Sequence, residues 1–165
     1  MRITAIVMNM GRARSMSTAQ IICVRRLYLE VSNGGFGPAY GVLGLENGFR
    51  HDMKRTAADI LESRGHLPGM PYGLLPLCHW GCAIYSFVHC PSERMFAWDP
   101  NPVAPDDDVP FFEQDYTLPT WLAAWLDGSL RQPLLVIDPT SERYHGATIA
   151  ETEAAFADTE GDDDP

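Results

Sequence analysis

At 165 residues and 45% hydrophobic composition, the chain is long enough for one domain with a substantial core. No apolar run approaches the roughly 18 residues of a membrane-spanning helix. The faintly apolar stretch from Met1 to Met10 is interrupted by Asn9 and has no small-residue cleavage site, so no signal peptide is expected and the expected location is the cytoplasm.

The formal net charge of −10 is unevenly spread: residues 1–90 hold 9 Lys+Arg against 5 Asp+Glu, and residues 91–165 hold 3 against 17. Solubility and a solvated tail account for much of that excess. The same field disfavours nucleic acid and acidic membranes as partners and favours a basic protein. With a core of this size and no sign of export, Cys23, Cys78, Cys82 and Cys90 are expected as reduced thiols.

Residues 1–16 carry the least pattern and read as an N-terminal extension, with Met8, Met10 and Met16 as alternative starts. Ser17 or Thr18 is a candidate cap for a helix running to Ser32, because Ile21, Val24, Leu27, Tyr28 and Val31 step at helical intervals. Gly34 would end it.

The stretch from Asn33 to Leu45, NGGFGPAYGVLGL, is dense in glycine yet carries Phe36, Tyr40, Val42, Leu43 and Leu45, all of which can be buried. Such a mixture points to a backbone forced through left-handed or tightly packed conformations while its side chains join a core. A phosphate cradle is the rival reading. It requires strand, Gly-x-Gly-x-x-Gly, then helix; here the order is helix, loop, strand, the second spacing (Gly37 to Gly41) is one residue too long, and Pro38 lacks an amide donor.

A second helix is expected from Asp52 to Arg64, with Ala57, Ile60 and Leu61 as its buried stripe, followed by a loop containing Pro68, Gly69 and Pro71. Strands are expected at Leu74–His79, Cys82–Val88 and Met95–Asp99, the last two joined by a turn at Pro91-Ser92-Glu93. In the middle strand Ile84, Ser86 and Val88 alternate with Tyr85 and Phe87, so both faces are largely apolar and the strand should be central.

Residues 100–110, with four prolines and Asp106, Asp107 and Asp108, read as a solvated loop. Pro119 and Thr120 start a helix that Gly128 stops, its apolar face formed by Trp121, Leu122, Trp125 and Leu126. Leu134–Ile137 is either a short edge strand or a segment pressed on the surface. Residues 139–165 form an acidic tail, weakly helical over Thr148–Ala157 and disordered in composition beyond it.

Four blocks carry a resemblance: the glycine-rich stretch, Leu74–Val88 with its Trp80-Gly81-Cys82, Phe96–Asn101, and Leu118–Gly128. In this order and spacing, from about residue 25 to 128, they resemble the SMI1/KNR4 family of the SUKH superfamily. The structural signature would be Asn33, Gly34, Gly35, Gly37, Pro38, Gly41, Trp80 and Gly81. The acidic helix and Leu-Pro lead that usually open such chains have no counterpart in residues 1–16.

The resemblance implies an α+β fold, a mainly antiparallel sheet of about four to six strands flanked by helices, occupying residues 17–138. It also implies a non-enzymatic, cofactor-free protein-binding role. Many bacterial members are immunity proteins that bind a toxin domain of a polymorphic toxin system; the alternative is an intracellular scaffold or regulatory adaptor.

The residues themselves offer one metal hypothesis, a zinc site or metal-dependent enzyme built on Cys78, His79, Cys82, His89 and Cys90. Against it, these residues lie in strands rich in core aliphatics, where cysteine behaves as a small hydrophobe. Cys78 and His79 point to opposite faces of an extended strand, and the paired carboxylates crowd into exposed segments, so no catalytic constellation is expected. Gly81 should mark a bulge or a close backbone approach, and Trp80 reads as core in preference to a ring presented to a partner. Tyr40, Trp98 and Asp99 stand at element ends and, with Asp106, Asp107 and Asp108, are the residues expected on a partner-binding surface.

Overall fold

The computed structural model describes residues 32–51, 54–62, 70–101, 111–141 and 143–160. The helix expected from Ser17 or Thr18, Cys23, the cap Asp52, residues 63–69 (the end of the expected second helix and most of the loop after it), and Asp106, Asp107 and Asp108 lie outside these residues.

Four strands form an antiparallel sheet in sequential order: β1 (Leu74–Gly81), β2 (Ile84–His89), β3 (Arg94–Trp98) and β4 (Phe111–Thr117). β2 is central, and both of its alternating residue sets, Ile84/Ser86/Val88 and Tyr85/Phe87, are buried. The β2–β3 turn falls at Pro91–Glu93, where Ser92 and Glu93 amides donate to the His89 carbonyl. Pro76 lies within β1, paired with Phe87, immediately before a break in register. A second register break lies between His79 and Gly81, the irregularity expected at that glycine.

Residues 111–116, assigned no element from the sequence, form most of β4. Phe112 and Gln114 point inward and Glu113 and Asp115 outward. The buried Gln114 amide is satisfied across the sheet, donating to the Phe96 carbonyl at 2.7 Å and to Ser86 Oγ at 3.3 Å.

Helix α1 is Ala57–Glu62 among the described residues. It does not begin at Asp52: Lys54 adopts a left-handed φ of 59° and its amide closes a turn onto the His51 carbonyl. The cap is Thr56, whose amide donates to Asp59 Oδ2 (2.7 Å) while its Oγ1 accepts the Asp59 amide (3.2 Å). Ala57 and Ile60 are buried and Leu61 is partly so.

Helix α2 (Leu118–Asp127) follows β4 directly. Thr117 and Thr120 form a reciprocal capping box, Pro119 sits in the first turn, and Gly128, at φ 82°, ends the helix. Its buried face is Leu118, Trp121 and Ala124 rather than the expected quartet; Leu126 is 76% exposed. Five residues beyond Trp121, Leu126 is rotated about 140° around the axis, away from the core.

Beyond α2, β5 (Leu135–Asp138) and β6 (Arg143–Gly146) pair as a hairpin, and Thr148 caps α3 (Ile149–Glu160) together with Glu151. Pairing therefore runs across position 139, where the acidic tail was expected to begin. Gly146 abuts β4 so closely that a Cβ there would overlap the Phe112 ring.

The glycine-rich segment lies against the open edge of β1. Val42 bridges both Gly35 and Cys78, and the Leu43 amide donates to the Leu77 carbonyl at 2.7 Å. Val42, Leu43 and Leu45 enter the core, whereas Phe36, expected to be buriable, is 94% exposed with its ring edge-on to Trp125.

Asn33 fastens the segment: its Oδ1 accepts the Leu45 amide (2.7 Å) and its carbonyl accepts the Phe49 amide (3.0 Å). Gly34, at φ 77°, lies so near the returning chain that a Cβ would stand 2.6 Å from the Val42 carbonyl oxygen.

Two glycines of similar φ separate strain from crowding. Gly128 faces open space, so Gly128→Ala should cost about 1–2 kcal/mol from left-handed strain alone. Gly34→Ala adds a backbone collision and should cost more than about 3 kcal/mol, lowering Tm by roughly 6–12 °C. Thermal unfolding of the two variants checks this; equal losses would contradict the packing.

Candidate functional site

Pro38 to Gly41 make a tight turn, the Gly41 amide donating to the Pro38 carbonyl at 2.8 Å and Ala39 taking a left-handed φ of 46°. The turn projects Tyr40, which remains 47% exposed. Its ring stacks on His79 of β1, with centroids 5.6 Å apart and planes 24° from parallel. His79 in turn contacts His51 (4.9 Å) and Tyr85 (4.6 Å), and Tyr85 leads to Trp98 (6.3 Å) and Phe111 beyond it (6.3 Å). A ladder of rings thus runs from the surface into the core across β1, β2, β3 and β4. Ring pairs of this kind add about 0.5–1.5 kcal/mol each beyond their buried area, so Tyr40 is an exposed side chain on a rigid support.

Beside Tyr40 lies the β1–β2 hairpin turn. Gly81 pairs with Ile84, leaving Cys82 and Ala83 as the two central residues, both with positive φ (46° and 64°). Such a turn suits the twist of the strands but normally carries Asn-Gly, because side chains other than Gly and Asn are strained there. A Cβ at Gly81 would touch Tyr40 at 3.6 Å, which places the turn against the edge of the ring. Asn101 secures the turn: its Nδ2 donates to the Cys82 carbonyl (2.7 Å) and to Asp99 Oδ1 (2.8 Å), while its backbone amide donates to the same carboxylate oxygen (3.0 Å).

The residues expected on a partner-binding surface therefore separate. Tyr40 is exposed. Trp98 and Asp99 are buried, at 8% and 5% exposure, which corrects the expected surface placement. Trp98 ends β3 facing the ring ladder, and Asp99 turns inward to hold Asn101. Trp80 is partly buried and on the other side of the sheet, its Nε1 donating to Ser86 Oγ at 2.9 Å, so it does not join Tyr40. The strained Cys82-Ala83 pair and Asn101 carried no signal in the sequence: turn-forming glycine or asparagine is absent from the two central positions. His51, 34 residues before its ladder neighbour Tyr85, had no periodic pattern to mark it as buried.

The signature glycines are spent on backbone packing. Gly35 and Gly41 amides donate to the Val42 and Pro38 carbonyls, which removes them as donors to a phosphate. The Cys78 thiol donates to the Pro38 carbonyl at 3.3 Å, and burial pushes it well above the ordinary thiol range. Burial likewise pushes Cys90 up to about 12. Both are therefore protonated at neutral pH, unsuited to nucleophilic attack or ligation without a large rearrangement. Among the described residues no three His, Cys, Asp or Glu side chains are grouped to hold a metal ion. Nor is any described helix long and apolar enough to cross a membrane.

No family model, curated protein or solved structure matches this chain.

Replacing the strained pair by the sequence its geometry prefers, Cys82→Asn with Ala83→Gly, should stabilise the protein by about 1–2 kcal/mol. Tm should rise by roughly 2–8 °C, and an unchanged or lower Tm would count against the left-handed turn.

His89 supplies a pH test. Burial lowers its pKa, opposed in part by Glu113, and its Nδ1 lies 2.7 Å from Ser92 Oγ. A histidine held neutral contributes fully above the unfolded value of 6.5. That contribution is lost as pH falls below 6.5 towards the folded-state pKa. Between pH 7.5 and 5.5 the wild type should thus lose more stability than His89→Gln in parallel denaturant titrations; identical slopes would remove His89 as a contributor.

Proposed function

We propose that this chain is a non-enzymatic protein-binding domain of the SMI1/KNR4 type, acting as an immunity protein that captures a basic toxin domain stoichiometrically. The observation that supports this most is the junction of Tyr40 with the Gly81–Ala83 turn. An exposed tyrosine stands on a buried stack of rings, next to a two-residue turn kept in an unfavourable conformation. Rigid, partly exposed aromatics lose little entropy on binding and dominate interface energetics, and strain retained in an exposed turn is a mark of functional surfaces.

Charge supplies the second element. Net −14 over residues 91–165 would accelerate encounter with a cationic cleft, such as that of a nuclease toxin, and disfavour acidic competitors. Glu113, Asp115, Asp127, Glu151 and Glu153 are the exposed acidic side chains of this half among the described residues. Capture would need no bond making by this chain, in keeping with Cys78 and Cys90 held as thiols and glycines spent on their own backbone.

Calorimetric titration against the C-terminal domain of the protein encoded immediately upstream tests the reading. One-to-one binding should weaken as salt rises, and Tyr40→Ala should reduce affinity about 30-fold or more, the scale of a hot-spot aromatic, while shifting Tm little. Absence of binding at low and moderate salt would reject that partner and favour the adaptor role; binding indifferent to Tyr40→Ala would move the interface elsewhere.

A further inference from the structure

We draw no further inference here: the strongest candidate, the solvent-open cleft between β4, the turn after α2 and the start of α3, sets Asp115 and Glu153 beside the half-buried Tyr116 but is an acidic cluster with nothing in the structure to show what fills it.

Discussion

Five consecutive buried residues, Gly41 to Leu45, must have their backbone amides satisfied without belonging to a regular strand or helix. Each finds a different acceptor: Pro38, Gly35, Leu77 and Phe49 carbonyls for Gly41, Val42, Leu43 and Gly44, and the Asn33 side chain for Leu45. An unmet donor at such depth costs about 1–3 kcal/mol, so the five bonds together fix the path of the segment. The Gly44 carbonyl extends the same lock outward by accepting the Ala57 amide at the start of α1. Turn, sheet edge and helix are thereby tied to one short stretch of backbone, and the close approaches at Gly34, Gly44 and Gly48 are the steric condition for it.

The surface follows from that lock. Because Val42 and Leu43 are bonded to β1, the turn preceding them has one available direction, and Tyr40 comes to rest on His79. The β1–β2 turn reaches the same place from the other side, through the irregularity at Gly81. Asp99 then takes a structural part: its buried carboxylate orients Asn101, and Asn101 holds the carbonyl of a strained residue. Asp99, expected on a partner-binding surface, instead supports the turn beside the exposed Tyr40. In the proposed capture of a basic partner, the acidic half of the chain would add long-range attraction and short-range selectivity would rest with Tyr40 and its rigid support.

Much of the fold was legible because its signals were local. Alternation in Ile84–Val88 marked the central strand, Gly128 marked the end of α2, and the glycine-rich stretch declared a crowded backbone. β4 escaped notice because its outward residues are Glu113 and Asp115, which merge in composition with the preceding prolines and aspartates; its inward Phe112 and Gln114 become intelligible only against Ser86 and Phe96. The site was less legible. Tyr40 was marked by its place at an element end, but the same criterion misplaced Trp98 and Asp99, since the end of a central strand can still lie under neighbouring chain. The left-handed Cys82-Ala83 pair is imposed by the two-residue connection between β1 and β2, a tertiary demand that overrides the preference of those residue types. No pattern in the chain could have announced it.

Hydrogen exchange at the amides of Val42, Leu43 and Leu45 tests the central claim most directly. If the glycine-rich segment is locked into the core, these amides should open only with the sheet, with protection comparable to Phe87 and Val88 at the centre of β2. Exchange at the rate of an exposed loop, while Phe87 and Val88 stay protected, would show that the segment is not fastened to β1 and would remove the rigid support of Tyr40.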